Sequence, residues 1–98
     1  MASVAELVEP EALRERAGEY LARAGEVIRT SGRVRLVELT ATRVTAEVED
    51  GPVRSVALEA GPTGLAATCD CGAPSGNGLC PHVVAVARET WERSSSRR

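Results

Sequence analysis

The sequence predicts an α+β domain: an N-terminal helix, a small antiparallel β-meander of three to four strands, a loop, and a C-terminal helix. Three observations predict it. Apolar residues recur at helical spacing between Pro10 and Thr30. After Gly32 the apolar period shortens to two. From the end of the last strand onward, every cysteine and the single histidine fall within residues 69–82, followed by a second helical pattern.

Residues 1–9 read as an N-terminal extension. Pro10 suits a first helical position, where its missing N–H costs nothing. Leu13, Ala17, Tyr20, Leu21, Ala24, Val27 and Ile28 then form one apolar stripe, predicting a helix over 10–30. Gly18 and Gly25 each weaken it by about 1 kcal/mol relative to Ala, with Gly25 the expected place for a break. Ser31-Gly32 supplies a stop, with Gly32 as a left-handed cap.

In Arg33 to Leu39, Val34 and Leu36 share one face and Val37 and Leu39 the next. That shift predicts a bulge or a strand buried on both sides. Arg43 to Glu49 alternates cleanly, with Val44, Ala46 and Val48 inward. Asp50-Gly51-Pro52 is a turn, Val53 to Ala60 a strand with Val56 and Leu58 inward, and Gly61 to Gly64 another turn. Leu65 to Cys69 is a last short strand. Such short connections imply antiparallel neighbours. The second helix runs from Pro81 to about Glu92, packing through Val83, Val86, Ala87, Thr90 and Trp91. A single domain over 10–93 is expected, with a polar, disordered tail at 94–98.

The chain has 98 residues, 43% apolar and 27% charged, with no Phe, one Trp and one Tyr. Val, Leu and Ala must fill the core, at roughly 25 cal/mol per Å² of apolar surface buried. A domain with so thin a core gains from a metal or a partner. All twelve basic residues are Arg, against 14 acidic ones, for a net charge of −2. The basic footprint of a phosphate-binding protein is absent overall. Neither a signal peptide nor an apolar run of about 20 residues is present, so no membrane association is expected. A reducing cytoplasmic setting is expected, in which clustered cysteines are metal ligands rather than disulfides.

Cys69, Cys71, Cys80 and His82 carry the chemistry. Zinc takes thiolate sulfur and imidazole nitrogen, four at a time, in a tetrahedron. A Cys3His set fills that shell and leaves no position for water or substrate, which marks one structural Zn2+ rather than a catalytic one. Cys69 and Cys71 are two apart, so a straight strand would aim them at opposite faces. The chain must curl there, as Gly72 permits. The Gly-rich loop 72–79 turns back to Cys80, at the start of the second helix, where free N–H groups favour a thiolate. A redox pair at Cys69 and Cys71 is disfavoured, since reactive thiols need exposure and a lowered pKa. A catalytic Cys–His pair would leave two cysteines unexplained and lacks a clear orienting acid. No enzymatic activity and no small-molecule substrate are expected.

Cys-x-Cys, a variable loop, and Cys-x-His opening an apolar helix (His82-Val83-Val84-Ala85-Val86-Ala87) resembles the SWIM zinc finger. The resemblance covers about residues 53 to 92. The upstream strands and the Tyr20-bearing helix are similar to longer bacterial versions. It implies zinc ligation by Cys69, Cys71, Cys80 and His82, in a family that occurs with helicases and transposases and is proposed to bind DNA or proteins. Gly72 stands where many members carry proline, and Pro81 where many carry a basic residue. The second departure disfavours phosphate contact at that helix start. A protein-interaction module with a protein partner is therefore the expected function. The alternative is a nucleic-acid-binding module using Arg88, Arg93, Arg97 and Arg98. Against it, Arg88 and Arg93 have Glu89 and Glu92 within reach, and Arg33, Arg35 and Arg43 face Glu38, Glu47 and Glu49 across strands.

Overall fold

The computed structural model describes residues 3–49, 51–62, 64–70 and 79–95. Its elements are α1 (Val4–Leu7), α2 (Pro10–Ala17), α3 (Glu19–Thr30), β1 (Val34–Leu39), β2 (Arg43–Glu49), β3 (Val53–Gly61), β4 (Gly64–Cys69) and α4 (Pro81–Ser95). The four strands form one antiparallel sheet in the order β1-β2-β3-β4. This is the α+β layout that the sequence predicts.

The sheet follows the period-two pattern closely. Val44, Ala46 and Val48 of β2 and Val56 and Leu58 of β3 are buried on the covered face. Leu36 pairs with Ala46 and Glu38 with Thr45, which leaves Val37 as the extra residue of a bulge. The apolar pattern of β1 shifts register at that point. Val37 is turned out to 62% exposure, so of the two readings of β1 the bulge is the observed one.

α4 is the centre of the domain. It touches all four strands on one side and α3 on the other. Val83, Val84, Ala85, Val86 and Ala87 are all buried as a result. The sequence predicts a single packing face. A five-residue apolar run instead belongs to a helix covered all round. Each buried valine contributes roughly 1.5 kcal/mol or more, so this short run supplies much of what holds the layers together.

The predicted helix over 10–30 is two helices. The break falls at Gly18, whose φ is 89°, and not at Gly25. Gly25 lies inside α3 and is buried against α4. A Cβ there would meet Val84 Cγ1 at 2.4 Å and the backbone nitrogen of Ala85 at 3.0 Å. The apolar stripe also divides. Leu21 and Ile28 pack against the core, while Tyr20 and Val27 face outward, 81% and 63% exposed.

Residues 3–9, ahead of Pro10, belong to the packed body. Ser3 caps α1 by accepting from the Glu6 N–H at 3.3 Å. Val4 and Val8 are wholly buried, and the Val4 N–H donates to the Ala41 carbonyl at 2.7 Å. Between α3 and α4 runs an ion network. Glu26 binds Arg29 at 2.6 Å and Arg88 at 3.0 Å, and Glu89 binds Arg93 at 2.9 Å and Arg29 at 3.8 Å. On the sheet, Arg35 pairs with Glu47, and Arg43 with Glu38 at 3.8 Å. No helix among the described residues is long and apolar enough to cross a membrane.

Candidate metal centre

Two chain ends meet where β4 stops and α4 begins. Cys69 is the last residue of β4 and pairs with Val56 of β3. Paired residues share a sheet face, and Val56 is buried. Cys69 therefore points under α4 rather than outward, in line with Ala67 and Leu65, two and four residues earlier.

The end of β4 is fastened by Asp70. Its N–H donates to the Ser55 carbonyl at 3.2 Å, and its carboxylate accepts the Ser55 N–H at 3.1 Å. One aspartate thus supplies both halves of the last rung and fixes the strand end that carries Cys69. Its role is not apparent from the metal motif. The signal available was an Asp at a strand-to-turn junction, a residue type that binds nearby backbone N–H groups. At the other edge of β4, the guanidinium of Arg16 on α2 donates to the Leu65 carbonyl at 3.0 Å and ties the strand to the helical layer.

From the other side, Cys80 precedes α4 as its cap. The Val84 N–H donates to the Cys80 carbonyl at 3.1 Å, and Pro81 is the first helical residue, as its fixed φ favours. Cys80 is 2% exposed, and His82, one residue into the helix, 8%. A buried imidazole needs a partner for each nitrogen. Its Nδ1 lies 3.8 Å from the Cys69 Sγ and 3.8 Å from the Cys80 Sγ.

These three donors lie within 4.8 Å of one another. For a tetrahedral ion with Zn–S near ~2.3 Å and Zn–N near ~2.0 Å, adjacent donors stand roughly 3.5–3.8 Å apart. The sulfur–nitrogen edge is the shorter of these, about 3.5 Å, and both sulfur–nitrogen separations, 3.8 Å, stand about 0.3 Å beyond it. The cluster is thus close enough to hold a metal ion with little movement. The structure brings together Cys69, Cys80 and His82 of the four residues that the sequence marks. Cys71 lies outside the described residues, as do the loop 71–78 and Arg97 and Arg98. Arg88 and Arg93 are engaged with Glu26 and Glu89.

Comparison with known protein families, curated proteins and solved structures returns no match for this chain.

Proposed function

We propose that this chain is a SWIM-type zinc module. One structural Zn2+ is held by Cys69, Cys71, Cys80 and His82, and the domain so fixed works as a protein-interaction unit without catalytic chemistry. The observation that carries the proposal is the convergence of two thiols and an imidazole nitrogen, close to tetrahedral spacing, on the junction of β4 and α4. Sulfur with a borderline nitrogen donor favours zinc over the harder cations. Cys71 follows Cys69 by two residues, a span of about 7 Å at most, and completes a closed shell.

Charge supports a protein partner over nucleic acid. The net charge is −2, and two of the four arginines near α4 are held in ion pairs. Exposed Tyr20 and Val27 lie seven residues apart on α3 and offer an apolar contact of the kind proteins use. The site is tested by loading with Co2+. A tetrahedral Cys3His centre gives intense sulfur-to-cobalt charge-transfer bands with one equivalent bound, and Zn2+ displaces them. Cobalt that stays octahedral and weakly absorbing would refute the site. For the partner, fluorescence anisotropy with labelled duplex DNA at low salt should show no binding. Affinity that falls steeply with salt would transfer the function to nucleic acid.

A further inference from the structure

A closed Cys3His zinc centre carries a net charge of about −1, since three thiolates outweigh one divalent ion. Here it would stand in a chain whose other charges already sum to −2. We propose that Arg54 of β3 is the cation that offsets this charge, and that it thereby strengthens metal binding as a positioning residue outside the ligand set. The proposal rests on the zinc site described above.

Arg54 occupies a position that otherwise takes core residues. It pairs with Val48 of β2, which is wholly buried, and stands two residues before buried Val56. Paired residues share a face, and so do residues two apart on one strand. Arg54 therefore lies on the face that α4 covers. It is half-buried, whereas Val53 and Ser55 on either side of it are exposed. Val48 pairs in turn with Val34 of β1. Among the described residues that row holds Val34, Val48 and Arg54, and no acidic side chain. The Arg54 guanidinium has no hydrogen bond or ion pair among the described residues. Arg35, Arg43 and Arg88 each meet a glutamate. A half-covered cation without a counter-charge is costly to keep there.

The register that isolates Arg54 from acids places it beside the metal ligands. Val56 pairs with Cys69, so Arg54 is the diagonal neighbour of Cys69 on the same face. Such neighbours stand about 7–8 Å apart, within reach of a long side chain. The donor atoms of Cys80 and His82 lie within 4.8 Å of the Cys69 sulfur. At this range opposite charges attract appreciably where water is partly excluded. A guanidinium suits the role because it is always charged and only weakly hydrated.

The test measures zinc affinity of the full chain by chelator competition, at low and at high salt. Arg54→Gln should bind zinc about tenfold more weakly at low salt, the lower end for groups outside the ligand set. Salt screens the attraction, so the gap should narrow at high salt. Arg54→Lys keeps the charge as a compact ammonium and should stay within about threefold of the parent. Arg23→Gln removes the same charge from a side chain 79% exposed on α3 and should match the parent. A purely structural role would leave the cobalt spectrum unmoved. With Co2+ bound, Arg54→Gln should instead shift the sulfur-to-cobalt charge-transfer bands to longer wavelength, because thiolates facing less positive charge give up electrons more readily. Parent-like affinity and spectrum for Arg54→Gln, or an equal loss of affinity in Arg23→Gln, would overturn the role of Arg54 and leave the zinc site standing. A parent chain that takes up no tetrahedral metal would remove both.

Discussion

Gly25 of α3 and Val84 of α4 approach so closely that one added methyl at position 25 would stand 2.4 Å from Val84 Cγ1. The backbone of Ala85 closes the same space at 3.0 Å. Alanine ordinarily improves a helix by about 1 kcal/mol over glycine. Here the sign should reverse. Gly25→Ala forces α3 off α4, and overpacking of this kind costs about 1–3 kcal/mol. For a domain of this length each kcal/mol lowers Tm by about 4–8 °C. Thermal unfolding should therefore show a clear drop, partly restored by adding Val84→Ala. An unchanged or raised Tm for the single variant would refute the contact.

Asp70 and Ser55 close the rung beneath the candidate metal centre. Asp70→Ala removes the side-chain acceptor but keeps the backbone bond, so stability should fall by only about 0.5–1.5 kcal/mol. The larger effect should appear in metal affinity, since Cys69 hangs from that rung. Orienting groups outside the metal's own ligands are worth about 10–100-fold in affinity, and the lower end is expected here. Asp70→Asn keeps an acceptor oxygen and should remain near the parent. Competition titrations against a zinc chelator measure both; equal affinities for all three chains would contradict the role.

Arg88 and Arg35 contrast a covered ion pair with an exposed one. Arg88 is 22% exposed and bridges α4 to Glu26 of α3. Arg35 is 76% exposed and pairs with Glu47 across β1 and β2. Arg88→Ala should cost about 1–3 kcal/mol, as for hydrogen bonds to charged groups in covered surroundings. Arg35→Ala should cost under ~1 kcal/mol. Urea unfolding of both variants checks the order, and equal losses would contradict it.

Much of this layout was legible because local pattern and tertiary role agree. In β2, alternation alone identifies Val44, Ala46 and Val48, whereas in β1 the shifted apolar pattern allows a bulge or a strand buried on both sides, and only the pairing with β2 selects the bulge and places it at Val37. The grouping of Cys69, Cys80 and His82 was legible from residue type. Few side chains ligate soft metals, and here they fall within 69–82. The helix break was not legible. Gly18 and Gly25 carry the same propensity cost, and only the packing of Val84 decides that Gly25 stays helical. The same holds for α4, whose second buried face exists because α3 covers it. The helix before Pro10 is too short for periodicity to reveal. Its one local sign was Ser3 followed three residues later by Glu6, a pattern that starts helices, and the Ser3 cap is present.

The central claim is that a zinc ion joins the end of β4 to the start of α4. Native mass spectrometry of the 10.3 kDa chain, paired with circular dichroism before and after chelation, tests it most directly. One zinc per chain is predicted, lost on chelation together with the cooperative melt, as expected where binding at a structural zinc site is coupled to folding. Cys80→Ser should bind zinc weakly or not at all. A metal-free chain that keeps the same fold and the same Tm would contradict the account.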